Sequence, residues 1–285
     1  MKILPIIIIV FCFSVTGILQ VDFQSKIPDI KLPERGLCAH RGAMGTHPEN
    51  TLVAFEAAIE AGAHMIEFDV RLTRDKRMVV IHDGTVDRTT NGSGKVSDLT
   101  LSEIKKLDAG AWKSLPFAGE QIPTLEEVLQ ILPRNIWLNV HLKGTEELAV
   151  MVTQLLVKEN RLHQAFIACG ARAAAGAKEV TPEIMVCNMD RKESNWDYVN
   201  ETISMKADFI QLRREITPEF AQYAKALKDR GVYVNYYGTD SPEQIKELFD
   251  YGIDFPLVND IVHSIKVAEE LNILPVTQDF GNKTK

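Results

Sequence analysis

Short apolar runs alternate with helix-period segments along most of the chain, and this alternation constrains the fold more than any other feature. Strand-like runs occupy 36–40, 65–72, 78–82, 136–142, 165–169, 184–187, 208–212, 231–236 and 255–258. Helix-period segments fill 49–62, 124–132, 146–158, 218–230 and 242–251. In the first of these, Leu52, Phe55, Ile59 and Gly62 recur at helical spacing, and Asn50 is placed to cap the start. Strand followed by helix, repeated, predicts a parallel sheet covered by helices. The joint 73–77 is too short for the crossover that parallel neighbours need. One of the nine strand candidates is therefore a hairpin partner or lies outside the main sheet. Eight true strands give an α/β fold of the TIM-type (β/α)8 barrel class. A doubly wound open sheet is the alternative, but no GxGxxG follows a strand to support it.

The chain's 285 residues suit one such barrel, which commonly takes about 250. The single domain is expected over 33–272, followed by a tail over 273–285. A glycine-rich irregular stretch, about 84–122, follows the strand ending in His82-Asp83. A loop this long inside a domain is usually functional, which predicts a small insertion over the C-terminal face of the barrel, where barrel enzymes keep their chemistry.

Before the barrel, residues 3–15 are almost wholly apolar, preceded by Lys2 and followed by Thr16 and Gly17. Segment 1–20 reads as a signal peptide, so the protein is expected to be exported, periplasmic or extracellular. Anchoring through 3–19 is the alternative, but 17 residues interrupted by Pro5 are short for a span, and no stable membrane span is expected after cleavage. With Cys12 inside the leading segment, Cys38, Cys169 and Cys187 remain, an odd number at unrelated spacings without CxxC, so neither a disulfide framework nor a structural zinc site is suggested. The net charge of −7, with no basic run of five, argues against a nucleic-acid partner. An acidic protein that binds a phosphate needs a local cluster of cations, or a metal.

Four polar clusters fall at ends of expected strands: His40-Arg41-Gly42, Glu67-Phe68-Asp69, His82-Asp83 and Asn139-Val140-His141-Leu142-Lys143. Side chains alternate across a strand, so Glu67 and Asp69 share one face, as do Asn139, His141 and Lys143. Two neighbouring buried carboxylates are costly without a cation, and a hard metal ion between them answers that cost. A structural salt bridge to Arg71 or Arg41 would answer it too. Glycosidase chemistry does not suit the pair, because it needs carboxylates on opposite sides of a sugar ring.

In order and spacing, His40-Arg41-Gly42, Pro48-Glu49-Asn50-Thr51, Gly62-Ala63, Ile66-Glu67-Phe68-Asp69-Val70, Val80-Ile81-His82-Asp83, Arg88-Thr89-Thr90-Asn91-Gly92 and Leu107-Asp108-Ala109-Gly110 resemble the glycerophosphodiester phosphodiesterase signature. The likeness is dense from 36 to about 129 and thins beyond Lys143. It implies a TIM-type barrel that hydrolyses a small-molecule glycerophosphodiester to an alcohol and glycerol 3-phosphate with one divalent metal (Mn, Zn, Co, Mg or Ca). Carried over, it makes His40 and His82 the acid–base pair, Arg41, Lys143 and Asn139 the substrate contacts, and Glu67 and Asp69 metal ligands. The family's third carboxylate is His141 here. An imidazole removes one negative charge and favours Mn²⁺, Zn²⁺ or Co²⁺ over Ca²⁺ or Mg²⁺, unless His141 handles protons or substrate instead. The usual Trp-Thr near the eighth strand reads Asn235-Tyr236-Tyr237, and the usual Thr-Asp after the last strand reads Asn259-Asp260. These changes at the mouth keep a sugar- or lipid-linked diester open as substrate, and also a degenerate barrel that binds a phosphorylated ligand without turnover.

Overall fold

The computed structural model describes residues 30–281. The segment expected to be a signal peptide or anchor, 1–20, lies outside the described residues. The chain runs β1 (Cys38–Ala39), α1 (Leu52–Glu60), β2 (Met65–Leu72), β3 (Met78–Val80), α2 (Leu101–Ile104), α3 (Leu125–Ile131), β4 (Trp137–Leu142) and α4 (Glu146–Lys158). It continues as β5 (Ala165–Cys169), α5 (Ala171–Val180), β6 (Met185–Asn188), α6 (Asn195–Ser204), β7 (Phe209–Leu212) and α7 (Phe220–Lys228). Then come β8 (Tyr233–Tyr237), α8 (Pro242–Asp250), β9 (Phe255–Val258) and α9 (Ile261–Glu270).

Among the described residues, every strand except β3 is parallel to its neighbours, and β1 closes the sheet by pairing with both β2 and β9. Cys38 sits beside Met65 on one side and Leu257 on the other. This is the eight-stranded TIM-type barrel. The short joint resolves as a hairpin: β3 runs antiparallel to β2, with Val80 opposite Val70 and Met78 opposite Leu72.

Strand parity sorts the core. Ile66, Phe68 and Val70 on β2 and Leu138 and Val140 on β4 face the helices. The alternate residues Met65, Trp137, Phe166, Phe209 and Phe255 fill the barrel floor. Phe166 and Phe209 stack with centroids 3.8 Å apart, Trp137 meets Phe209 edge-on at 5.2 Å, and Trp137 Nε1 donates to the Pro33 carbonyl at 2.8 Å. Each buried aromatic is worth about 1.5–3 kcal/mol of transfer free energy, so the floor is a packed plug. Chemistry is confined to the other end.

Helices α5, α6 and α9 were not foreseen. The first is an alanine run around Gly176, and the second buries only Tyr198, Val199 and Thr202, so their apolar stripes are weak. Asn50 does not cap α1. Thr51 does, its hydroxyl accepting from the Ala54 N–H, while Asn50 takes a left-handed φ of 58° that asparagine tolerates. The insertion has a small core of its own, with Val86, Val96, Ile104 and Ile122 packed on Val79 and Ile81. The stretch expected to be a tail is tied under the barrel as far as it is described: Val276 N–H donates to the Gly62 carbonyl and Arg134 N–H to the Asp279 carbonyl. No described helix is long and apolar enough to cross a membrane.

Candidate active site

Inward parity carried past the strand ends builds the mouth. His40 follows Cys38, Asp69 follows Glu67, and Lys143 follows His141; all five polar residues line one cavity of about 160 Å³ together with Arg41 and His82. Register puts Asp69 beside His141. Asn139, expected as a substrate contact, is fully buried beside Glu67 and is not among the residues that line the cavity. Parity gave it the right face, but two residues of strand, about 6.6 Å, leave its short side chain one layer too deep. A larger cavity of about 880 Å³ lies at the N-terminal ends of α4 and α5, and none of the expected site residues lines it.

The two carboxylates are held from behind. Glu67 Oε2 accepts from the Arg41 N–H at 3.0 Å, and Asp69 Oδ2 accepts from Asn50 Nδ2 at 3.0 Å. Their other oxygens, Glu67 Oε1 and Asp69 Oδ1, each lie 3.4 Å from His141 Nδ1. One donor atom from each of the three residues falls within 4.8 Å of the others, and Asp69 Oδ1 is buried without an aligned hydrogen-bond donor. Two anionic oxygens and one imidazole nitrogen gathered at one point, one of the oxygens without a hydrogen-bond donor, fit a divalent cation. Burial alone would raise the Asp69 carboxyl, but the His141 imidazole, the Lys143 ammonium 3.2 Å away and the Arg41 guanidinium outweigh it and hold it far below the carboxylate range. For His141, burial favours the neutral ring, yet Asp69 and Glu67 overcome it and raise its affinity for a proton.

An ion network braces one side. Glu49 accepts from Arg41 Nη1 at 2.8 Å and from both terminal nitrogens of Arg88 at 2.9 and 2.8 Å. Arg88 also donates through Nε to Asp83 at 2.6 Å, and Asp83 lies 2.7 Å from His82 Nδ1. Arg88, seconded by His82, holds the Asp83 carboxyl well below its usual range. The insertion thus fixes the second histidine's ring. On the other side, His40 Nδ1 lies 2.7 Å from Asn259 Oδ1, and Tyr237 packs edge-on against its ring at 5.1 Å. Asn259 Nδ2 donates to Asp240 at 2.8 Å, so the amide presents its oxygen to His40 and the proton must sit on His40 Nδ1. That leaves Nε2 free, 4.0 Å from Glu67.

Three further wall residues, Arg191, Gln211 and Arg213, were missed by sequence reasoning. The signal was available: counting by twos from Cys187 through Met189 reaches Arg191, and from Phe209 through Gln211 reaches Arg213.

Known proteins resemble this chain in both sequence and shape. The profile of the glycerophosphoryl diester phosphodiesterase family matches residues 40–186. A glycerophosphodiester phosphodiesterase of Bacillus subtilis is 30% identical over 263 residues, covering 82% of this chain and 87% of that protein. One from Caldanaerobacter subterraneus is 51% identical over 121 residues, 42% of this chain and 50% of that protein. The putative glycerophosphodiester phosphodiesterase YhdW of Bacillus subtilis is 50% identical over 137 residues, and the chain spans about half the length of these two relatives, 56% and 50%. The structure of an Oleispira antarctica phosphodiesterase in complex with the product sn-glycerol-3-phosphate superposes with a TM-score of 0.70 at 25% identity, covering 84% of this chain and 97% of that one. With the barrel, the mouth and these likenesses in agreement, the chain belongs to the glycerophosphoryl diester phosphodiesterase family.

Proposed function

We propose that the protein hydrolyses a glycerophosphodiester to an alcohol and glycerol 3-phosphate, using His40 and His82 as proton-transfer groups. The observation that carries this is the pair of imidazoles on one cavity, each with Nδ1 held from behind, by Asn259 and by Asp83, and each left with Nε2 for the substrate. A neutral amide behind His40 suits the base, which takes the proton from the attacking water as its oxygen bonds to phosphorus. His82, its ring fixed by Asp83 with Nε2 toward the cavity, takes the part of the acid and gives a proton to the leaving oxygen. Lys143 and Arg41 line the same cavity and carry positive charge toward the phosphoryl oxygens. Glu67, Asp69 and His141 would hold a divalent ion, whose part is to stabilise negative charge on those oxygens. With one nitrogen among three donors, Mn²⁺, Co²⁺ or Zn²⁺ is the ion we propose over Ca²⁺.

The test is release of glycerol 3-phosphate from glycerophosphocholine and glycerophosphoglycerol. His40→Ala and His82→Ala should each lower kcat by roughly 10²–10⁴-fold with the circular dichroism spectrum unchanged. An activated leaving group should partly rescue His82→Ala and not His40→Ala. If both variants keep more than about a tenth of the wild-type rate, the histidines are structural and this mechanism fails.

We also propose that the protein is exported and that its mature chain begins between about Gly17 and Ser25, on the strength of the apolar leading segment. Intact mass of the exported protein checks this, and retention of Met1 would overturn it.

A further inference from the structure

The cations at the mouth outnumber the charges a single diester would bring. Arg41 is offset by Glu49 and Asp69, Arg88 by Glu49 and Asp83, and Lys143 stands 3.2 Å from Asp69 Oδ1. Arg191 and Arg213 differ: both line the same cavity, yet among the described residues neither guanidinium has a carboxylate within salt-bridge distance or donates a hydrogen bond to the protein. Each belongs to a basic pair whose second member the fold does use. Lys192 pairs with Glu201 at 2.6 Å, and Arg214 Nη2 donates to the Lys192 carbonyl at 3.2 Å. The first members alone face the mouth.

Their setting makes the missing anion costly. Arg191 is half-buried beyond the end of β6, and Arg213 stands at the rim beyond β7. Burial lowers the Arg191 guanidinium from its ordinary value, and the like charge of Arg213 adds to the effect. Two cations that share a wall and repel one another bind an anion better than either would alone. A guanidinium is also the side chain whose fork matches a phosphate. The diester itself carries one charge, which Lys143, Arg41 and a divalent ion held by Glu67, Asp69 and His141 would meet.

We propose that Arg191 and Arg213 form a second anion subsite, which takes a second phosphate group borne by the substrate and selects bis-anionic glycerophosphodiesters over zwitterionic ones. The inference rests on the proposed phosphodiesterase reading only for its kinetic test. Calorimetric titration of the purified protein, both chelated and supplied with Mn²⁺, would compare glycerol 3-phosphate with glycerol 1,3-bisphosphate. The expected result is at least tenfold tighter binding of the bisphosphate to wild type, with most of that advantage lost in Arg191→Gln and in the rim variant Arg213→Gln; about tenfold per arginine is the scale of one charge-assisted phosphate contact. Equal affinities for the two ligands, or an advantage that survives both substitutions, would overturn the subsite.

In turnover, the ratio of kcat/KM for a diester with an extra phosphate to that for glycerophosphocholine should fall about tenfold or more in each variant. Placing the extra phosphate on the leaving alcohol in one substrate and on the retained glycerol in another tells which side the arginines serve. A loss equal on all substrates assigns the arginines to the reacting phosphate and refutes the proposal. If no glycerophosphodiester is hydrolysed, with or without the extra phosphate, the phosphodiesterase reading fails, while the two binding constants still decide the subsite.

Discussion

His40 Nδ1 and Asn259 Oδ1 meet at 2.7 Å across 219 residues of sequence, and Asp240 orients the amide between them. The family's usual threonine at that place is replaced by a residue that sets the imidazole tautomer. Asn259→Leu should therefore lower kcat by about 10–100-fold, the usual cost of losing a group that orients a functional histidine. Asn259→Asp, which also loses the donor to Asp240, should lower the rate and move the acid limb of the kcat/KM profile to higher pH, because a carboxylate on Nδ1 favours the imidazolium. Superimposable pH profiles for wild type and Asn259→Asp would mean that His40 is not the base.

His141 is where the chain departs from its family inside the metal site. With Glu67 and Asp69 it makes a neutral donor set toward a divalent ion, whereas a third carboxylate would leave a net negative one. His141→Glu should move the preference toward Ca²⁺ and Mg²⁺ and away from Mn²⁺, Co²⁺ and Zn²⁺. Metal affinities of the chelated protein by calorimetry, read beside activity with each ion, check this. An unchanged ranking would put His141 outside the ligand set and leave it a proton-handling or substrate-binding role.

His64 predicts an acid-sensitive fold independent of the site. Its ring is 2% exposed, Nδ1 accepts from the Leu37 N–H at 3.2 Å, and Nε2 donates to the Leu274 carbonyl at 3.0 Å. Burial lowers its pKa to about 4. Above pH ~6.5 the ring is neutral in both folded and unfolded chains and has no pH effect. Below that, the unfolded chain binds a proton that the folded chain resists until about 4. Stability should fall between these limits by up to about 3 kcal/mol. Urea unfolding at pH 7.5 and 4.5, for wild type and His64→Gln, tests it: the variant should lose less stability on acidification. Parallel losses in the two proteins would assign the sensitivity to other groups.

The aromatic floor predicts stability without chemistry. Phe209 is fully buried between Phe166, Trp137 and Tyr233. Phe209→Ala should cost about 3–5 kcal/mol and lower Tm by about 6–20 °C, while KM of the folded fraction stays near wild type. A Tm shift below about 2 °C would mean that the floor repacks.

Sequence alone determined the parts of this protein that depend on local periodicity. Period-two alternation put Glu67 and Asp69 on one face, and the spans of β2, β5, β9 and α4 are as expected from apolar runs and helical spacing. The five-residue joint before Met78 also required an exception to the parallel order, met by the β3 hairpin. Tertiary structure decided depth and closure. Asn139 shares the face of His141 but lies below the mouth, because height in a barrel follows from strand stagger around the whole sheet and not from parity within one strand. Asn50 left its expected capping role for Asp69, 19 residues away, once the turn before α1 placed its amide beside that carboxylate. Closure of β1 against β9 brings Asn259 to His40, and the arc of β6 and β7 sets Arg191 and Arg213 on the same cavity. These contacts join residues far apart in sequence, and no local pattern encodes them. They exist only because a sheet that twists and staggers in step around eight strands must meet itself.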